Sequence, residues 1–562
     1  MNSKDTRIII ENHQSDFLYK KKKSNLNITF NRISFIFFIF FLICIIYSIH
    51  LIHLGSRKAR TNDIINSNQV SNKLYRADIV DRNQKYIVKT INSIDVGISP
   101  QKIINEKKLL LNLRYIFPDK DYSKIKKKIK KGKFFYFEKK ISNEKYEKLM
   151  RLGDKSIEPR DNLIRIYPQK NLFSHIIGQI DNENNGISGL EKSLDGELKK
   201  TQEPISLTVD KDIQYLIRSE LIRFNEIFKT IGSAAILMNV NNGEILSLVS
   251  LPDFNLNKRE KITDVNFINR ATKGVYEFGS VFKTFTLAAA FNEKIVEPTT
   301  EFKDLPKSLT CAGFPIREYN EKLPRNLTTE EILIRSGNIG SVKIAQKVGV
   351  EKYKFFLSNL GIIGKINFDI EEIGKPVRFN WGKCPLATAS FGHGITTTLL
   401  QVVKAYSIIV NGGFEVKPVL IKPKQKNKRK KIIDEEVSKK ILPILRKIVA
   451  TKDGTAKLAN IAGYEIGGKT GTANKSVKGA YVKKKVNTFV SVFPTSKPKF
   501  ILAVMLDEPE INEDYIYEYR DGSNFKLKGS PRNTAGWNSV EAAGHILEKI
   551  GPILATKYSE IN

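Results

Sequence analysis

Apolar positions divide this chain unevenly. One unbroken run stands near the N-terminus: Ile33-Ser-Phe-Ile-Phe-Phe-Ile-Phe-Phe-Leu-Ile-Cys-Ile-Ile-Tyr-Ser-Ile-His-Leu-Ile-His-Leu54. About 20 apolar residues suffice to cross a bilayer as a helix, so residues 33–54 are expected to form a transmembrane signal-anchor helix. From 55 to about 204 the pattern breaks into short strands and lysine-rich helices, the latter expected over 121–131 and 143–152. Beyond about 205 the apolar runs lengthen. Residues 233–240 and 243–249 read as strands joined by an Asn-Gly turn, a strong hairpin signal. Residues 488–493 and 500–506 read as two further strands flanking a Pro/Ser/Lys turn. Helices are expected over 283–291, 329–348 and 398–410, and a closing helix over 539–550 on the sheet's outer face. The pattern predicts an α/β (α+β) chain whose C-terminal part is an antiparallel sheet covered by helices on both faces.

Three short motifs fall in order within that C-terminal part: Ser280-Val-Phe-Lys283, Ser336-Gly-Asn338 and Lys469-Thr-Gly-Thr472. Alone, each has a plain reading. Ser-x-x-Lys also occurs at Ser99, Ser123, Ser142, Ser496 and Ser523 as solvated pairs. Ser280 stands apart because Glu277-Phe-Gly279 feeds it into a helix-forming run, where its hydroxyl either caps the helix or meets unpaired N–H groups at the positive end of the dipole. Lys283, three residues on, shares its face. Lys469-Thr-Gly471 lies among small residues that suit an edge strand approached closely by a ligand; its plain reading is a glycine-rich turn. Gly463 and Gly468 complete a phosphate-loop spacing, but neither a leading buried strand nor a helix over 472–478 accompanies it. Ser336-Gly-Asn338 on its own reads as a turn or helix cap. Together the three supply a hydroxyl nucleophile, a lysine to move its proton, a second hydroxyl with an amide, and a lysine for a carboxylate.

The order and context of these motifs resemble the class B penicillin-binding proteins, the monofunctional peptidoglycan DD-transpeptidases, most of all the septal FtsI-type branch. Arg76-Ala-Asp-Ile-Val-Asp-Arg-Asn83, Asn185-Gly-Ile-Ser-Gly-Leu-Glu191 and Leu207-Thr-Val-Asp-Lys-Asp-Ile-Gln214 resemble signatures before and at the catalytic domain. Met238-Asn-Val-Asn-Asn-Gly-Glu-Ile-Leu246 is similar to its opening hairpin. Ser390-Phe-Gly-His-Gly-Ile395, Gln401, Asn411-Gly-Gly413 and Thr534-Ala-Gly-Trp-Asn538 favour the septal over the elongation branch. One departure is Phe278, where the family usually has proline.

The resemblance implies roles. Ser280 is the nucleophile that attacks a stem peptide ending in D-Ala-D-Ala, Lys283 the general base, Ser336 a proton relay, and Asn338 the residue holding Lys283 and substrate in register. Lys469, Thr470, Gly471 and Thr472 bind the substrate, its carboxylate meeting Lys469, Thr470 and Thr472. Backbone N–H groups of Ser280 and Thr472 form the oxyanion hole. Lys283 is expected to be neutral, its pKa lowered by burial and by Lys469. An amine on a neighbouring stem peptide completes the cross-link, with residual carboxypeptidase activity possible. The implied division is a cytoplasmic basic tail (1–32), the membrane helix (33–54), an elongated pedestal of the dimerisation type (55–204) and the transpeptidase domain (205–562). β-Lactams are implied as covalent inhibitors. A membrane glycosyltransferase of the division machinery and other divisome proteins are implied as partners. No cofactor and no metal are implied.

Composition adds topology. Lys4, Arg7, Lys20 to Lys23 and Arg32 precede the apolar run, which places the N-terminus in the cytoplasm and the bulk of the chain outside the inner membrane. A cleaved signal peptide fits less well, since the run is long and Gly55-Ser-Arg-Lys-Ala-Arg60 lacks a small-x-small site. The net charge of +34 does not signal nucleic acid, because lysine is spread over every segment and no binding motif accompanies it. The run Lys124 to Lys133 reads as a solvated helix face, with anionic lipid or wall polymer as a second reading; Lys422 to Lys431 reads as an exposed loop. Cys311 and Cys384 lie outside the membrane run, and spacing alone decides nothing about their pairing. His393 reads as a packed residue of its Gly-His-Gly turn. Three other readings stay open beside the septal enzyme: an elongation-specific transpeptidase, a β-lactam sensor or serine β-lactamase, and a catalytically silent divisome scaffold.

Overall fold

The computed structural model describes residues 32, 34–52, 75–258, 267–423, 429–477 and 480–558. The basic tail (Arg32 apart), the flank at 55–60 and the centre of the 422–431 run lie outside them. Helix α1, Ser34–Ile52, is long and apolar enough to cross a membrane. Residues 73–562 form a separate compact unit.

That unit opens with a sheet of β1 (Ile79–Val80), β2 (Tyr86–Ile98), β3 (Phe135–Ile141), β4 (Ile157–Ile166) and β5 (Ile205–Ser206). β3 and β4 pair antiparallel with β2, while β1 joins β2 to β5. Helices α2 (Glu106–Ile116), α3 (Tyr122–Lys130) and α4 (Asn143–Met150) start at Asn105, Asp121 and Ser142, whose side chains accept first-turn N–H groups. α3 is the lysine run. It buries Tyr122, Ile125 and Ile129 at i, i+3 and i+7 and leaves its lysines in solvent. With Val96, Leu113 and Leu149 these residues build a small core of their own.

Short helices α5 (Ser174–Ile177), α6 (Gly189–Ser193) and α7 (Asp195–Leu198) lead towards β5. Here a fully buried Arg76 donates to Glu191 (2.6 Å) and Asp195 (2.6 Å), and Arg165 donates to the other Glu191 oxygen (2.8 Å). Two sequence signatures more than a hundred residues apart are therefore one ion cluster. Around it Ala77, Val88, Tyr167 and Leu190 join the main hydrophobic core.

α8 (Lys211–Ile227) precedes the expected hairpin of β6 (Gly232–Asn239) and β7 (Ile245–Leu251). Then come the buried helix α9 (Phe282–Asn292), the paired β8 (Glu301–Phe302) and β11 (Leu327–Thr328), and between them the hairpin of β9 (Ser308–Cys311) and β10 (Phe314–Arg317). Helices α10 (Thr329–Ile334), α11 (Asn338–Val348), α12 (Val350–Asn359), α13 (Lys383–Ala389), α14 (Leu399–Val410) and α15 (Glu435–Ala450) follow. The chain closes with β12 (Gly467–Val477), β13 (Ala480–Phe493), β14 (Phe500–Asp507), the small pair β15 (Ile516–Glu518) and β16 (Lys526–Lys528), and α16 (Ser539–Lys557).

The main sheet runs β12-β13-β14-β6-β7, antiparallel throughout. Every residue of β6 and β14 is buried, as expected when both faces are covered. α8 and α16 pack together on one face, α14 and α15 on the other. β12 is an edge strand, so one rim of its backbone is free of sheet partners.

Two helix expectations need correction. The helix expected over 329–348 is two helices, broken at Ser336, whose φ is +61°. A left-handed residue cannot continue an α-helix. The closing helix does not stop at 550. It runs through Pro552 to Lys557, and Tyr558 beyond it donates to Asp210 (2.6 Å), the residue that caps α8.

Candidate active site

The site begins with a contact between backbones. Gly279 has φ +52° and opens the one-turn helix Gly279–Val281 that leads into α9. A Cβ on Gly279 would lie 2.6 Å from the Thr472 carbonyl oxygen, and one on Gly471 would lie 2.2 Å from that of Phe278. One on Gly392 would lie 2.2 Å from the Gly279 carbonyl. Only glycine allows the turn, the edge strand β12 and the 392 loop to meet so closely. Phe278 is buried against Tyr276, ring centroids 6.2 Å apart, at the place where the resemblance leads one to expect proline.

Ser280, partly exposed, follows this junction. Its hydroxyl caps nothing: α9 begins without a side-chain cap, and among the described residues no hydrogen bond engages it. Capping, the plain reading, does not apply.

α9 buries residues 282 to 291 without a gap, Lys283 among them at 1 % exposure. The Lys283 amine reaches the Ser336 carbonyl (2.5 Å), Asn338 Oδ1 (2.7 Å) and Ser336 Oγ (3.2 Å). Burial lowers its pKa from 10.5 to about 7, and the negative charge of Glu318 opposes part of that fall. Of the two expected causes burial acts on Lys283, while an effect of Lys469 on it does not appear. The repulsion appears on the other partner: Lys469, wholly buried, is pushed well below its usual range by desolvation and then by Lys283.

Lys469 lies on β12 and donates to Ser336 Oγ (2.9 Å) and to the Thr470 carbonyl (3.1 Å). Ser336 therefore stands between two amines that arrive from a helix and from an edge strand. Its left-handed conformation turns the chain at the α10–α11 break, and Gly337 beside it serves as an N-cap without a side chain. A Cβ on Gly337 would make ordinary contact, with Glu318 Oε1 at 3.6 Å. The middle position of this motif therefore has room for a Cβ.

The last two candidates are threonines of β12. Thr470 Oγ1 is 2.8 Å from Thr455 Oγ1, and Thr472 Oγ1 accepts the Ala535 N–H at 3.0 Å. An accepting hydroxyl keeps its own proton for a ligand. Lys283, Ser336, Asn338 and Lys469 are thus brought into one hydrogen-bonded group. Ser280, Gly471 and Thr472 are joined to it by the backbone junction, and Thr470 by the strand.

Several neighbours lie outside the three motifs, and of these Glu318 and Arg335 carry no sequence signal. Glu318, just after β10, accepts the N–H groups of Asn338 (2.6 Å) and Ile339 (2.8 Å). Arg335, at the end of α10, is held by both carboxylate oxygens of Asp453 (3.0 and 2.7 Å). Glu277 takes the Tyr481 hydroxyl (2.9 Å) and the Gly394 N–H (3.0 Å), while His393 stacks on Tyr481 with centroids 4.5 Å apart. Cys311 and Cys384 form a disulfide that ties β9 to α13.

Residues 233–523 match the penicillin binding protein transpeptidase domain, and residues 72–220 the penicillin-binding protein dimerisation domain. A probable peptidoglycan D,D-transpeptidase FtsI of Caulobacter vibrioides is 28% identical, the match covering 86% of this chain and 82% of that one. The peptidoglycan D,D-transpeptidase FtsI of Buchnera aphidicola is 30% identical over 69% of this chain and 73% of its own. A probable peptidoglycan D,D-transpeptidase PenA of Neisseria flavescens is 31% identical over 60% and 83%. Among solved structures, apo penicillin binding protein 3 of Mycobacterium tuberculosis superposes with a TM-score of 0.65 at 20% identity, covering 87% of this chain and 97% of that one.

Proposed function

This chain belongs to the penicillin-binding protein transpeptidases, and we propose that it is a septal peptidoglycan D,D-transpeptidase working through a Ser280 acyl-enzyme. The observation that carries the reading is the convergence of Lys283 and Lys469 on Ser336 Oγ, beside the turn that presents Ser280.

At neutral pH a large share of Lys283 is neutral. Its two shortest contacts are oxygens that only accept, Ser336 O and Asn338 Oδ1, so they take both N–H bonds of the neutral amine. The lone pair is left for a hydroxyl proton. In this reading Lys283 removes the Ser280 proton as Ser280 Oγ attacks the carbonyl of the penultimate D-alanine. The N–H groups of Ser280 and Thr472 receive the developing oxyanion, an interaction typically worth roughly 3–4 kcal/mol per donor. Ser336, bonded to both amines, passes its proton to the leaving D-alanine nitrogen and takes one from Lys283, which is neutral again. Lys469 regains full charge when the substrate carboxylate arrives, with Thr470 and Thr472 donating beside it. An amine of a second stem peptide then attacks the ester, and the same relay runs in reverse.

β-Lactams acylate Ser280 as mimics of that peptide. α1 anchors the protein in the inner membrane, with 1–32 in the cytoplasm and the catalytic part outside. Residues 55–204 act as the pedestal and 205–562 as the transpeptidase domain, and a membrane glycosyltransferase with other division proteins are the expected partners. The shared core around Arg76 and Glu191 supports a pedestal seated firmly on the catalytic sheet.

The full-length chain in detergent, treated with labelled penicillin, should carry a slowly released adduct on Ser280. An adduct that survives Ser280→Ala overturns the assignment. Rapid hydrolysis of the adduct would make it a β-lactamase instead. Depletion that yields filamentous cells supports the septal role, and rounding would transfer it to elongation.

A further inference from the structure

Glu318 belongs to none of the three motifs, yet its carboxylate holds the first N–H groups of α11 at 2.6 and 2.8 Å. That helix has no side-chain cap of its own. The same strand end also fixes the Asn338 amide, because Asn338 Nδ2 donates to the Arg317 carbonyl at 2.8 Å. Oδ1 is then the atom turned to Lys283, 2.7 Å away. The hairpin that delivers Arg317 and Glu318 is itself anchored. Cys311, at the end of β9, is bonded to Cys384 in the first turn of α13, which packs on α11.

We propose that Glu318 is a positioning residue for acylation: from the disulfide-anchored hairpin it clamps the start of α11 and holds Asn338 on the Lys283 amine. The inference rests on the reading of Ser280 and Lys283 as the acylating pair.

Electrostatics gives the clamp a readout that packing alone would lack. Lys283 faces a positive group from β12, Lys469, and a negative one after β10, Glu318. Arg335 of the α10 end is paired with Asp453. Lys447 of α15 is paired with Glu330 of α10, and Lys352 of α12 with Glu293 after α9. Among the described residues no cation lies within ion-pair distance of Glu318, so its charge acts on the helix end and on Lys283. Removing the charge lets the pKa of Lys283 fall further.

The test is the rate of penicillin acylation of the full-length protein in detergent, measured from pH 5 to 9. Glu318→Gln should lower the plateau roughly 10- to 100-fold through misplacement and move the acid limb to lower pH. Glu318→Asp keeps the charge and should keep the limb at its wild-type position. A Glu318→Gln limb that coincides with wild type overturns the inference. A wild-type chain with no Ser280 adduct overturns the proposed function and this inference with it. Should Glu318→Gln fail to fold, the Cys311→Ser/Cys384→Ser protein serves: freeing the hairpin should lower acylation by about tenfold or more, and an unchanged rate overturns the clamp.

Discussion

Lys469 donates to the Ser336 hydroxyl at 2.9 Å, across a gap between an edge strand and a broken helix. The same oxygen lies 3.2 Å from the Lys283 amine. One hydroxyl thus keeps two buried amines apart, and several consequences can be measured.

Ser336→Ala removes the bridge and leaves the amines facing one another. Acylation by penicillin should fall about 10²- to 10⁴-fold, the usual weight of a proton-transfer group. Stability should drop by about 1–3 kcal/mol, because buried donors lose their acceptor. Labelling kinetics and thermal denaturation of the same preparation check both.

The acylation rate should rise with pH through about 7, as Lys283 loses its proton. Stability shows the matching sign. The unfolded chain binds this proton up to about 10.5 and the folded chain only up to about 7, so stability rises with pH across that window. Lys283→Met should abolish the rate profile and lessen the stability slope, of which Lys469 keeps a share of the same sign. Denaturant melts at pH 7 and pH 9 with equal wild-type and variant slopes would contradict this.

Gly471→Ala places a methyl 2.2 Å from the Phe278 carbonyl and 2.6 Å from Val281. The strand must move from the Ser280 turn. We expect a loss of about 1–3 kcal/mol and a much larger loss of acylation. A variant that labels at the wild-type rate would show that the junction tolerates displacement.

Lys469→Ala should slow acylation by carboxylate-bearing β-lactams far more than acylation by their methyl esters. The ratio of the two rates, taken for wild type and variant, isolates the carboxylate contact. A ratio that does not change removes that role from Lys469.

Arg76→Met leaves Glu191 and Arg165 in a buried cluster of altered charge. Breaking such a cluster typically costs about 3–5 kcal/mol. The protein that remains folded should label Ser280 normally, since the cluster lies outside the site. A selective loss of labelling without loss of stability would tie it to catalysis instead.

The sheet, the edge position of the Lys469 strand and the buried helix behind Ser280 could all be read from apolar periodicity and from small residues around a lysine. Local spacing carries such features: Lys283 is one turn from Ser280 whatever the rest of the chain does. The break at Ser336 was legible only in part: the plain reading of Ser336-Gly-Asn338 as a turn or helix cap matches it, but helical periodicity continues on both sides and no proline marks it. Glu318 and Thr455 were silent. Each reaches the site only through packing of elements distant in sequence, and a lone glutamate or threonine there looks like any surface residue. Arg76 and Glu191 were visible as separate signatures, but their contact was not. The joining of Cys311 to Cys384 also needed coordinates, since the pair is 73 residues apart.

At the meeting of Gly279, Gly392 and Gly471 there is no side chain to exchange. A bacterium under antibiotic selection has almost no viable substitution at that point. Escape from the drug is therefore channelled to the surrounding walls, at positions such as His393 or Tyr481, where bulk and charge can change without parting the two backbones.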